Sequence, residues 1–251
     1  MNKQLLTEMQ NAVKSTVSDN KIGVAFSGGV DSTLLAKVLK DMDYDINLLT
    51  VGFHESHDIN FALEVNQILG YQHNILEIDP TTFKEISSEI HNIIKTDNLS
   101  WNENSIAFYY VSKLAQDNGL TTVVTANGID ELFCGYNSYR DAISIGENEV
   151  IEMMNSKLEN EKQMMVAVNN VCSKFQVQII QPLLSPSFIE FAKKIPISEK
   201  IHGSDDLMRK HVIRSLAIDC DVPEISARKQ KKALQYGSQI HKALLKSRRI
   251  S

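Results

Sequence analysis

A chain of 251 residues with 43% apolar and 23% charged residues is large enough for a substantial core and has an ordinary globular composition, which excludes a disordered or low-complexity protein. Its net charge of −5 argues against a dominant nucleic-acid-binding surface. Cys134, Cys172 and Cys220 are too widely spaced for a disulfide framework or a zinc site. With no signal-like N-terminus and no run of roughly eighteen apolar residues to span a bilayer, the expected location is the cytoplasm.

Leu5, Leu6, Met9, Ala12, Val13 and Val17 recur at helical spacing and predict an opening helix. Ile22 to Phe26 reads as a buried strand, Ser27-Gly28-Gly29 as a turn, and Leu34, Leu35, Val38 and Leu39 as the apolar stripe of the next helix. The alternation continues with strands at Ile46–Val51 and Asn74–Ile78 and helices at Ile59–Leu69 and about Thr82–Ile94. A helix near Ile106–Gln116 then leads into a strand at Thr121–Thr125. Repeated strand–helix units predict an α/β fold, a parallel sheet with helices on both faces. After about Tyr139 only helices are expected, around 149–175, 186–194, 205–219 and 233–246. We therefore divide the chain into an α/β core over residues 1–140 and a helical portion over 141–251 that packs on it and closes one side of its site.

The first segment that carries chemistry is Phe26-Ser27-Gly28-Gly29-Val30-Asp31-Ser32. Two glycines between a buried strand and a helix let backbone N–H groups turn toward a ligand, and the helix N-terminus adds partial positive charge, so an oxyanion is the expected guest. A plain strand-to-helix turn capped by Asp31 or Ser32 is the bland alternative. The whole string resembles the signature of the PP-loop, or N-type ATP pyrophosphatase, superfamily, and it lacks the Gly-Lys-Ser/Thr ending of a Walker loop. That resemblance implies an adenine nucleotide α-hydrolase-like fold and cleavage of ATP between its α- and β-phosphates, giving AMP and pyrophosphate.

The second segment, Thr125-Ala126-Asn127-Gly128-Ile129-Asp130-Glu131-Leu132-Phe133-Cys134-Gly135-Tyr136, also follows a predicted strand. Ligands of parallel sheets bind at the carboxyl ends of strands, so Asp31 and Asp130 are expected to converge. Two carboxylates beside a triphosphate suggest Mg2+. The run Asp-Glu-Leu-Phe-x-Gly-Tyr resembles the matching stretch of asparagine synthetases and the related β-lactam synthetases, and the likeness extends over nearly all the chain through Val51-Gly52-Phe53, His57-Asp58, Leu69-Gly70 and His73. The resemblance implies ATP and pyrophosphate contacts from Phe26, Ser27, Gly28, Gly29, Asp31, Ser32, Val51, Thr125 and Ala126, with Asp31 and Asp130 as metal ligands.

The third segment is the basic run Arg228-Lys229-Gln230-Lys231-Lys232, read blandly as a solvated stretch before a helix. It falls where the family has a lysine that contacts the reacting phosphates; counting back from Gly237 selects Lys231, with Lys232 next. Leu207-Met208-Arg209-Lys210 also matches a family helix start, where a structural role weighs at least equally.

Two departures bear on the substrate. Asn127 stands where asparagine synthetases usually have a glutamate, and Gln178 to Leu184 lacks both charges of the family's Glu-x-Arg-x-Pro-Phe-Leu run, so a different acceptor pocket is expected. No residue matches the N-terminal cysteine of the family's glutaminase domain. The expected nitrogen source is free ammonia, another amine, or ammonia from a separate glutaminase subunit. The leading expectation is an AMP-forming carbon–nitrogen ligase in which a carboxylic acid is adenylated by ATP with Mg2+ and then captured by ammonia or an amine, with a homodimer as one expected assembly. Adenylation of a tRNA base or another carbonyl, and a non-catalytic ATP-binding subunit, are the alternatives.

Overall fold

In this computed structural model, which describes residues 1–230 and 234–249, five short apolar runs form β1 (Lys21–Ala25), β2 (Asp45–Gly52), β3 (His73–Glu77), β4 (Thr122–Val124) and β5 (Gln178–Ile180). They make one sheet in the order β3-β2-β1-β4-β5, and every pairing is parallel. After α1 (Asn2–Thr16), which precedes the first strand, parallel neighbours need crossover segments, and the helices supply them: α2 (Val30–Asp41), α3 (His57–Leu69), α4 (Phe83–Ile94) and α5 (Leu99–Asp117). Beyond β4 lie α6 (Ile129–Leu132), α7 (Ser138–Ile145), α8 (Glu147–Cys172), α9 (Pro186–Lys194), α10 (His211–Asp219), α11 (Glu224–Ala227), α12 (Leu234–Gly237) and α13 (Ile240–Arg249). No helix among the described residues is long and apolar enough to cross a membrane.

Successive strand side chains point to opposite faces, and here both faces are covered. Leu49 and Val123 join the core formed with α4, α5 and the end of α8, while their neighbours Leu48 and Val124 join the core formed with α2 and α3. A third core packs α1 and the start of α2 against α6, α7, α9 and α10. Leu5, Met9, Ala12 and Val13, the buried face of α1, show the helical spacing expected of them.

The sheet does not end with residue 140. β5 continues it, with Val123 opposite Ile179, which corrects the expectation that strands cease after Tyr139. Three residues are too few for a periodic signal. The helix expected from Asp205 begins at His211, because Arg209 and Lys210 hold left-handed backbone angles, φ 49° and 53°, that no helix accommodates. The last expected helix is two, α12 and α13, separated at Ser238–Gln239, where Gln239 has φ 67°.

Candidate active site

Strand order reverses direction at β1, with β2 and β3 on one side and β4 and β5 on the other. A crevice opens where the connections leave the carboxyl ends of neighbouring strands in opposite directions. β1 and β4 are those strands, so the two segments singled out by sequence emerge side by side. A cavity of about 340 Å³ occupies the crevice. Phe26, Ser27, Gly29, Asp31, Ser32, Val51, Thr125, Ala126 and Asp130 all line it.

The loop after β1 is held by its own hydroxyls. Ser32 Oγ accepts from the Ser27 N–H at 3.3 Å and donates to the Gly29 carbonyl at 3.2 Å, while Ser27 Oγ accepts from the Gly29 N–H at 3.4 Å. Gly28 does not line the cavity but makes the turn possible. It has φ 74°, and a Cβ there would meet the Phe61 carbonyl at 3.1 Å and Ala62 Cα at 3.2 Å. From behind, Ser226 Oγ donates to the Gly28 carbonyl at 2.7 Å, so α11 supports the loop. Asp31 lies in the first turn of α2, where the helix dipole favours negative charge.

Asp130 lies in α6, whose start is fixed by the Gly128 N–H donating to Glu131 Oε2 at 3.1 Å. Between the two aspartates sits Lys210, from the segment for which a structural role weighed at least equally with the family match. Lys210 Nζ donates to Asp31 Oδ2 at 2.7 Å and Oδ1 at 2.9 Å, and to Asp130 Oδ1 at 3.1 Å. The lysine is buried, only 1% exposed. Burial alone would lower its pKa, but the adjacent Asp130 and Asp31 outweigh it and raise the ammonium above the ordinary lysine value. Its position depends on the left-handed turn at 209–210, which Arg214 braces by donating to the Arg209 carbonyl at 2.9 Å and to the Ala227 carbonyl at 2.6 Å.

The far wall comes from α8 and α5. Thr125 Oγ1 donates to Asn127 Oδ1, which turns the amide so that Nδ2 donates to Glu161 Oε1 at 2.5 Å. A buried carboxylate, 5% exposed, therefore adjoins the position where the family glutamate is replaced by Asn127. Tyr136 donates its hydroxyl to Glu131 Oε1, and the Lys157 ammonium lies 4.5 Å from the Tyr136 ring centre. Burial, with Glu131 beside it, raises the Tyr136 phenol well above its ordinary pKa. Asn104 of α5 and Asn160 of α8 complete this polar wall.

Lys231 and Lys232 lie outside the described residues. On either side of them, Lys229 and Gln230 line the cavity, and Gly237 packs so closely on Asp58, itself a cavity residue, that a Cβ would collide with the carboxylate. Lys229 Nζ sits 4.2 Å above the Phe61 ring.

The donor set fits Mg2+. Among the described residues the cavity wall carries five carboxylates, Asp31, Asp58, Asp130, Glu131 and Glu161, against three lysines, Lys157, Lys210 and Lys229. A triphosphate would meet an excess of negative charge there unless a divalent cation came with it. Asp31 and Asp130 keep about a fifth of their side chains exposed, 21% and 20%, beside Lys210. Mg2+ commonly takes one or two protein carboxylates and fills its remaining positions with phosphate oxygens and water.

Lys210, Glu161 and Lys157 are the chief additions to the residues expected from sequence. Only Lys210 had a local signal, the Arg-Lys pair before an apolar stripe. Glu161 and Lys157 sit in the long helix α8 among many other charged residues.

The asparagine synthase family profile matches residues 4–174. A putative glutamine-hydrolysing asparagine synthetase of Methanocaldococcus jannaschii is 27% identical over 273 aligned positions, covering 95% of this chain and 50% of that protein. Asparagine synthetase B of Escherichia coli is 24% identical, covering 93% of this chain and 44% of the relative. The chain thus spans half or less of the length of these curated relatives. Among solved structures, NMN synthetase from Francisella tularensis shares the fold, with a TM-score of 0.51 at 14% identity over 94% of this chain and 75% of that one. The match over residues 4–174, which takes in both strand-end loops of the cavity, shows that the chain belongs to the asparagine synthase family.

Proposed function

We propose that the protein is an ATP-dependent ligase that joins a carboxylic acid to ammonia or another amine, forming AMP and pyrophosphate through an acyl-adenylate. The observation that carries this reading is the convergence of the Ser27–Ser32 loop, Asp31 and Asp130 on one cavity, with Lys210 Nζ bonded to both aspartates. In the first step a substrate carboxylate oxygen attacks the α-phosphorus of ATP, and the bond from that phosphorus to the bridging oxygen of the leaving pyrophosphate breaks. The loop N–H groups and the positive end of α2 hold the departing phosphates. Bound at Asp31 and Asp130, Mg2+ would neutralise phosphate charge. Lys210 keeps those two carboxylates in place and offsets their repulsion toward the triphosphate. Phe26, Val51, Thr125 and Ala126 form the strand-end floor for the nucleotide, and Lys231, with Lys232 beside it, is assigned to the reacting phosphates on the family resemblance.

In the second step the amine nitrogen attacks the acyl carbon, the mixed anhydride bond to AMP breaks, and the nitrogen loses a proton. Glu161 is assigned to receive that proton, because its buried carboxylate lines the same cavity and is oriented by Asn127. Acid-dependent exchange of labelled pyrophosphate into ATP, measured over a library of carboxylic acids with Mg2+ and no amine, tests the first step directly. Exchange supported by one class of acid is expected. Formation of ADP and phosphate in place of AMP and pyrophosphate would refute the reading.

A further inference from the structure

Ahead of Lys210 the chain makes an irregular loop whose side chains are arranged for a second task. Asp206 is the hub of this loop. Its Oδ2 accepts from the His202 N–H at 3.0 Å, and its Oδ1 accepts from the Met208 N–H at 3.0 Å and the Arg209 N–H at 2.9 Å. Burial alone would raise the Asp206 pKa, but the N–H bonds from Arg209 and His202, with His211 beside it, hold the carboxyl down at about 2, so it is anionic at neutral pH. His211 Nε2 lies 2.7 Å from Asp206 Oδ2.

The pair Asp206–His211 alone would be an ordinary ion pair, but a third donor adjoins it. The ring of His202 lies face to face with that of His211, centroids 3.6 Å apart and planes within 3°. An imidazole binds a metal ion in its own ring plane, so the two rings must leave this parallel stack to share one, and His202, which is exposed, is the ring with room to turn. One ligand atom from each of His202, Asp206 and His211 falls within 4.8 Å of the other two. Donors bound at about 2 Å to one tetrahedral ion lie roughly 3 to 3.5 Å apart, so closing the set requires the His202 ring to turn out of the stack and bring its nitrogen toward the other two donors. Two imidazoles and one carboxylate suit a first-row transition metal better than Mg2+, and an exposed His202 leaves a side open for water ligands. Thiolates do not compete, since Cys134, Cys172 and Cys220 are all buried.

We propose that His202, Asp206 and His211 form a binding site for a first-row divalent transition metal, with Zn2+ as its probe, and that the bound ion braces the loop delivering Arg209 and Lys210 to the cavity. The site is separate from the Asp31–Asp130 pair and does not depend on the reaction proposed above. Residues 202 and 211 flank the whole left-handed turn, so an ion shared between them would staple its two ends, adding to the bonds that Asp206 and Arg214 already make to it.

The test uses the full chain, stripped with a chelator and held in millimolar Mg2+ so that the cavity carboxylates face a competing hard ion. Zn2+ is titrated against a chromophoric chelator, and backbone hydrogen exchange is followed with and without Zn2+. One equivalent is expected to bind at micromolar Zn2+ or below, with His202→Ala and His211→Ala each weakening it at least about tenfold and slower exchange over residues 203–210. His202 is exposed, so its variant should keep the wild-type circular dichroism, and His202→Asn provides a second check. Absence of binding at micromolar Zn2+, or affinity unchanged in the two alanine variants, overturns the site. Binding without slowed exchange at 203–210 overturns the bracing role. Both readouts are independent of ligase activity, so failure here and failure of the proposed reaction are distinguishable.

Discussion

Lys210 joins residues that lie 179 and 80 positions away in the chain, Asp31 and Asp130. Replacing it by Met keeps the length of the stem and removes the charge. Two carboxylates then face the proposed triphosphate site without the Lys210 ammonium between them. Pyrophosphate exchange should fall by roughly 10²- to 10³-fold, the scale on which loss of one preorganised charge-stabilising donor acts, and the fold should lose about 3 kcal/mol, the low end for breaking a buried pair whose partners are partly solvated. Exchange within tenfold of wild type, measured at saturating ATP, would remove Lys210 from the site. Glu161→Gln separates the two proposed steps: acid-dependent exchange should persist while amide formation drops at least about 10²-fold, and equal loss of both would refute a role confined to the second. His73, in the edge strand β3, has a Nε2 paired with Thr50 at 2.8 Å and a buried Nδ1 with no partner among the described residues. Burial pulls its pKa down to about 4. Below that value both folded and unfolded chains carry the proton; between about 4 and the ordinary 6.5 the unfolded chain binds more protons, so stability declines as pH falls through that window, by up to about 3 kcal/mol. In His73→Gln, urea titrations at pH 7 and pH 4.5 should differ less than in wild type.

At the scale of elements, the strand–turn–helix unit at β1, the Ser27–Ser32 loop and α2 was fully legible, because its meaning is local: two glycines, two hydroxyls and an apolar stripe fix the shape without help from distant residues. Gly28 shows how strict that shape is. With φ 74° and the Phe61 carbonyl and Ala62 Cα near the Cβ position, Gly28→Ala should lower stability by about 1 to 3 kcal/mol and raise the KM for ATP in the exchange assay, since the loop must shift away from α3 to admit the methyl group. An unchanged KM would mean that the loop does not hold the phosphates. What the sequence hid were elements and residues whose role arises only on assembly. β5 has three residues, and its identity as a strand comes from Thr122, Val123 and Val124 across from it. Ser226 reads as one hydroxyl among many until α11 folds beneath the Gly28 carbonyl. Glu161 and Lys157 share α8 with many charged residues, and nothing in their spacing marks the two that face inward.

For the molecule as a whole, the family match ends at residue 174, but the physical unit does not. Leu5, Met9 and Leu34 share a core with Leu183, Phe188, Val212, Ile213 and Leu216, all contributed after that point. Burying a large apolar side chain contributes roughly 1.5 to 3 kcal/mol, so those five account for a sum of about 10 kcal/mol, comparable to the entire net stability of a typical domain. Removing them also strips β5 from the edge of β4 and takes Lys210 from between Asp31 and Asp130. A chain truncated after Lys174 should therefore lose near-UV circular dichroism and cooperative thermal unfolding, although α1 through α5 and four strands remain covalently intact. Cooperative melting of the truncated chain with native near-UV signal would mean that the first part of the sequence is a self-sufficient folding unit and that residues 175–251 act only as an added wall. Without such melting, the last third of the chain is as much a part of the folded core as the Ser27–Ser32 loop.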